Sequence, residues 1–152
     1  MTRPHRQGEG ALSDAIREAL AHEPGLLLFR NSVGVLRSRG RVYHTGLGNG
    51  SADLVGVLAG RFVALEVKRP GEAPTPEDVA RIEAKLGAIA RRLAGTPMWL
   101  RAVKALPDDE RRVLEQEAFA EAVRKAGGFA CYVDGVEAAR AAIARARTGA
   151  AS

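Results

Sequence analysis

Apolar and polar positions along this 152-residue chain alternate with two different periods, and their order lays out an architecture. Leu12, Ala15, Ile16, Ala19 and Leu20 recur at helical spacing, which predicts a first helix from Glu9 to His22, closed by Pro24-Gly25. The apolar run LLLF at 26–29 has the length of a strand. Val33–Arg37 and Arg41–Thr45 can pair as a hairpin around Ser38-Arg39-Gly40. Two β-rich runs follow, DLVGVL at 53–58 and FVALEVK at 62–68, joined by Ala59-Gly60-Arg61. A short glycine-containing connection between such runs predicts an antiparallel hairpin, and Pro70-Gly71 stops its second strand.

Helical periodicity then resumes. Over 76–94, Val79, Ile82, Leu86, Ile89 and Leu93 form an apolar stripe, with Arg81, Lys85, Arg91 and Arg92 off it. Gly95-Thr96-Pro97 breaks this helix, and Met98–Leu106 is an apolar patch that includes Trp99. Pro107-Asp108-Asp109-Glu110 opens a further helix that runs to about Ala126, because acidic side chains suit the positive end of the helix dipole. Gly127-Gly128 ends it, FACYV at 129–133 reads as a strand, and 135–147 as a last helix rich in alanine and arginine. This order predicts an α/β fold with a central mixed sheet flanked by helices. One domain spans 9–147, between a flexible lead at 1–8 and a flexible tail at 148–152.

Composition narrows the function classes. Apolar residues at 46% and charged residues at 27% are those of an ordinary globular protein, so disorder is not the default. A net charge of +5 favours a polyanionic partner such as nucleic acid. Cys131 is the sole cysteine, which excludes an internal disulfide, and its apolar setting reads as a small buried residue. With His5, His22 and His44 as the histidines, no zinc-ligand spacing exists. Residues 1–10 are polar and glycine-rich, and no apolar run approaches the roughly 18 residues a membrane span needs. The expected location is therefore cytoplasmic, without membrane contact.

The candidate chemistry sits on the second hairpin. Side chains alternate along 62–68, so Glu66 and Lys68 share one face while Leu65 and Val67 take the other. A carboxylate and an ammonium among apolar neighbours need compensation, which a metal ion and a phosphate can supply. Asp53 opens the preceding strand, directly after GLGNGSA, and the hairpin brings it to the same end of the sheet as Glu66. Two converging carboxylates suit a hard divalent cation such as magnesium, which accepts a few oxygen ligands and keeps several waters. Lys68 is placed to orient a water or to stabilise developing charge. An ion pair on a solvated strand face and a turn aspartate are the alternative reading of these residues.

The blocks FRNSVG at 29–34, GNGSADLVGVL at 48–58, GRFVALEVKRPG at 60–71 and GGFACYV at 127–133 resemble the VRR-NUC branch of the PD-(D/E)xK (restriction-endonuclease-like) nuclease superfamily. They cover most of the chain outside roughly 72–112, and EVKRPG after GSADL is the specific part. The resemblance implies an αβββαβ core with a helical insertion at about 72–112. It implies that Asp53, Glu66 and the backbone carbonyl of Val67 bind Mg2+, with Mn2+ able to substitute, and that Lys68 assists the attacking water. A glutamate of the first helix completes such sites, and Glu9 fits that position better than Glu18. Gln116 stands where the family has a helix glutamine. Ser51-Ala52 stand before Asp53 where the superfamily's name has a proline.

The implied function is Mg-dependent, structure-selective DNA endonuclease activity on branched, flap or junction DNA in replication, repair or recombination, in a bacterial or phage-infected cell. A restriction-like or RNA-directed nuclease of the same fold, or an inactive nucleic-acid-binding module, is the alternative. Arg30, Asn31 and Arg69, with Arg37, Arg41 and Ser51, are candidate backbone-gripping residues, since arginine and asparagine suit phosphate contacts. Arg39 and Tyr43 share that segment, and His44 reads as incidental. The stripe at 79–93 is read as core packing or as a partner surface, with Met98 and Trp99 at a tip suited to a dimer contact or a wedge against DNA. Such standalone members imply a homodimer.

Overall fold

The structure, a computed structural model, describes residues 5–87, 92–93 and 96–149. Its elements are α1 (His5–Leu20), β1 (Leu26–Arg30), β2 (Gly34–Ser38), β3 (Arg41–Thr45), β4 (Leu54–Leu58), β5 (Arg61–Val67), α2 (Pro76–Ala84), α3 (Pro97–Lys104), α4 (Asp108–Lys125), β6 (Phe129–Val133) and α5 (Val136–Arg147). Four strands form a mixed sheet in the order β1-β4-β5-β6, flanked by helices. The first three pair antiparallel, and β6 lies parallel to β5. The other two strands, β2 and β3, make a separate antiparallel ribbon.

The register divides the mixed sheet into two faces. Leu26, Leu54, Leu58, Val63, Leu65, Val67, Phe129 and Val133 pack against Ile16 and Leu20 of α1 and Ala139, Ala142, Ile143 and Ala146 of α5. Eight of these are completely covered, and burying each large apolar side chain contributes about 1.5–3 kcal/mol. Arg61 closes the lower end, donating to the carbonyls of Gly127, Gly128 and Ala146 while its guanidinium lies over the Phe129 ring. On the opposite face Ala64 and Ala130 are small enough for α4 to lie close, through Phe119, Ala120 and Val123. Towards β1 that same face is open, with Leu27, Phe29, Val57 and Phe62 exposed.

The segment 72–112 builds a second core. Ile82, Leu86, Trp99 and Val103 pack with Leu114 of α4. Thr75 and Asp78 close a reciprocal capping box at the start of α2, and Thr96 caps α3. Lys85 pairs with Glu110, tying α2 to α4. Val79, Ile82 and Leu86 of the predicted stripe thus serve packing, while Ile89 lies outside the described residues. Trp99 is buried rather than placed at a tip, because α3 turns its apolar face inward; Met98 beside it is exposed.

Several boundaries differ from the sequence expectation, among them the helix expected over 76–94, where α2 already ends at Ala84. α1 begins at His5, so residues 5–8 continue the helix instead of forming a lead; Gly8 and Gly10, poor helix formers, hid the start. Both hairpins turn on two residues rather than three. Arg39-Gly40 and Ala59-Gly60 all have positive φ, the tight geometry that matches the natural twist of paired strands. The 98–106 patch is helical, over Pro97–Lys104. Among the described residues no helix is long and apolar enough to cross a membrane.

Candidate active site

The β4–β5 register places Leu54 opposite Leu65. One step further along both strands puts Asp53 beside Glu66, on the face away from the main core. The Asp53 side chain is fixed there by its Oδ2, which accepts from the Val67 N–H at 3.1 Å. Lys68 follows on the same face, and its Nζ donates to Glu66 Oε1 at 3.0 Å. Glu66 is 6% exposed and Lys68 9%, so this ion pair is almost wholly out of water.

Gln116 comes from α4 and is buried against the same carboxylate, its Nε2 donating to Glu66 Oε1. Gly50 makes that approach possible. At φ 79° it passes so close to α4 that a Cβ there would lie 2.6 Å from the Glu115 carbonyl. The GNGS loop therefore closes over the helix turn that carries Gln116.

One consequence is an overcrowded carboxylate. Burial, and after it the facing Asp53 carboxylate, push the Glu66 pKa up to about 7, against the pull of Lys68. Its Oε2 is buried with no hydrogen-bond partner among the described residues, and so is the Gln116 Oε1. A buried polar atom left unpaired costs stability, a cost that a water or a bound ligand would relieve. Two carboxylates with free oxygen at an edge suit a hard cation that also takes waters and a phosphate. Among the described residues no three His, Cys, Asp or Glu side chains gather as a metal-holding group.

Glu9 stands outside this cluster, half-buried in α1, where its carbonyl accepts from Ser13 Oγ. Its neighbours locate it at the same end of the sheet. A Cβ on Gly8 would lie 3.2 Å from the Arg69 guanidinium, and one on Gly10 3.2 Å from that of Arg30. Arg30 also pairs with Asp14. Both arginines thus flank the turn of α1 that carries Glu9.

Asn31 and Ser51 have structural duties. Asn31 Nδ2 donates to Ser51 Oγ at 2.7 Å and to the Ala52 carbonyl at 2.9 Å, while its Oδ1 accepts from Leu47 N–H. Ser51 Oγ in turn donates to the Gly48 carbonyl. Together they staple the loop that delivers Asp53 to the end of β1. Arg37, Arg39 and Arg41 are exposed on the β2–β3 ribbon, as are Tyr43 and His44.

Tyr132 is the neighbour that sequence reasoning passed over. It sits beside Glu66 across the β5–β6 register, and burial, followed by the Glu117 carboxylate, raises its hydroxyl pKa. Only the parallel pairing of β6 could have pointed to it. Cys131, half-buried on the opposite side of the strand, packs against the main core, and burial raises its thiol pKa. Comparison with protein-family models, curated proteins and solved structures found no match for the chain.

Proposed function

We propose that the chain is a magnesium-dependent nuclease with a PD-(D/E)xK-type core, and that it hydrolyses the phosphodiester backbone of DNA. The observation that carries the reading is the convergence of Asp53, Glu66 and Lys68 around a buried carboxylate with an unpartnered oxygen. A purely structural ion pair gains nothing from a second carboxylate that opposes its ionisation. A site that binds a divalent cation gains its affinity from that same opposition.

Asp53, Glu66 and the Val67 carbonyl are the groups that would hold Mg2+ or Mn2+, with Glu9 from α1 as a further carboxylate. The bound cation supplies Lewis-acid polarisation of the phosphate and a more acidic water. Asp53 is held by Val67 N–H, so its remaining oxygen is aimed before any ligand arrives. Lys68 Nζ has three donors and spends one on Glu66, which leaves others for a water or a phosphoryl oxygen. Gln116 fixes the Glu66 rotamer. Arg30 and Arg69, which lie beside the first turns of α1, would grip flanking phosphates. Substrates with branches, flaps or junctions, and a homodimeric assembly, belong to the same proposal.

Cleavage of labelled single-strand, duplex, flap and four-way-junction DNA in magnesium tests it. Lys68→Ala and Asp53→Ala should each lower the rate by roughly a hundredfold or more, the range for losing a positioned acid–base or charge-stabilising group. Wild-type rates in either variant would sink the assignment.

A further inference from the structure

We propose that the β2–β3 ribbon is a groove-binding arm for double-stranded nucleic acid. The inference deepens the nuclease reading by naming a duplex as what the site is offered. It starts from the ribbon's isolation. Among the described residues β2 and β3 pair with each other and with no other strand, and every side chain from Val35 to His44 is exposed. A lone two-stranded ribbon is marginal in water, so a protein that keeps one has something for it to meet.

Charge says what that is. Between Glu23 and Asp53 the chain has no acidic residue, but it has Arg30, Arg37, Arg39, Arg41 and His44. Arg37, Arg39 and Arg41 have no acidic partner among the described residues. The register distributes them in three directions. Ser38 and Arg41 are opposite, on the face of Leu36 and Tyr43; Arg37 and Val42 are opposite, on the face of Val35 and His44. Arg39 occupies the tip at φ 49°.

Each face thus carries a cation with apolar companions, and the tip carries another. An arm that lay flat on a partner would be asymmetric. An arm alike on both faces fits between two charged walls. The major groove of a duplex, about 12 Å across, admits a two-stranded ribbon and has phosphates on both sides. The ribbon of a second copy is disfavoured as the occupant, because it would bring another Arg37, Arg39 and Arg41 and no carboxylate to meet them. The arm is also linked to the chemistry: Asn31 staples its base to the residues just before Asp53.

The test compares wild type with a variant carrying Arg37→Thr, Arg39→Asn and Arg41→Thr. Threonine suits the strands and asparagine tolerates the positive φ of the tip, so the ribbon is kept while its charge goes. Fluorescence anisotropy in metal-free buffer measures Kd for a 20-base-pair duplex and for one of its single strands across a salt series. The variant should lose at least tenfold in duplex affinity, and the log–log salt slope should become shallower by about 2–3. The single strand, which has no groove, should lose less than threefold.

Equal losses on both substrates, or no loss, overturn the proposal. So does light scattering that finds a dimer which Leu36→Asp with Tyr43→Asp dissociates while duplex affinity stays unchanged. Circular dichroism melts confirm that each variant is folded. Cleavage is scored separately. A wild type that binds duplex through the arm but never cuts it would end the nuclease reading and leave the arm standing.

Discussion

Glu66→Gln should make the metal-free protein's stability less sensitive to pH. In the folded state the Glu66 pKa is raised from 4.5 to about 7, so the folded protein holds this proton more tightly than the unfolded chain does. The sign follows from linkage. The contribution is unpenalised below 4.5, and stability declines as pH rises through the interval to about 7 and is flat above it. At about 1.4 kcal/mol per unit, the full swing is about 3 kcal/mol. Glutamine cannot ionise, and the titrating groups that do not interact with residue 66 are common to both proteins and cancel in the difference. Urea denaturation followed by far-UV circular dichroism, in EDTA at pH 4.5, 6 and 8, measures that difference. Wild type should lose about 3 kcal/mol relative to the variant between the first and last pH. Magnesium should restore much of it at pH 8 and little at pH 4.5, since cation and proton compete for one carboxylate. A wild-type-minus-variant difference that is flat with pH would refute the burial argument. A pH-dependent difference that ignores magnesium would refute the metal assignment alone.

Two further substitutions probe the frame around the site. A Cβ on Gly56 would stand 2.0 Å from the Leu27 carbonyl, so Gly56→Ala must push β1 away from β4; we expect a loss of about 3 kcal/mol in urea denaturation, at the upper end for overpacking, and an undisturbed melt would show that the strands sit further apart. Asn31→Ala should cost about 2 kcal/mol through unpaired polar groups, with faster amide exchange at Leu47 and a cleavage rate reduced at least tenfold; unchanged exchange at Leu47 would mean that the staple does not hold the loop.

The parts of this fold legible from sequence are those governed by local rules. Alternation along 62–68 set Glu66 and Lys68 on one face, and the glycine turn brought Asp53 back beside them; the structure repeats both. The strand at 129–133, and that at 26–30 to within one residue, followed from apolar runs between turn residues. What stayed hidden depends on contacts between distant segments. The burial of Trp99 needs α2 and α4 around it, and a single apolar patch does not reveal its own partners. The roles of Asn31 and Ser51 look like phosphate chemistry in a glycine-rich segment, but their hydrogen bonds turn inward. Gln116 beside Glu66 was reachable through resemblance alone, since fifty residues separate them.

α4 belongs to two interiors at once. Leu114 is held by the 72–112 segment, Val123 by the sheet, and Gln116 lies between these anchors. The helix therefore acts as a beam clamped at both ends, with the site's glutamine at mid-span. A change in the length or packing of the appended helices cannot be absorbed locally; it must tilt or slide the beam, and with it the group that orients Glu66. The appended segment is in this sense a tuning element for the site, and lineages that reshape it would have to refit residue 116 as well.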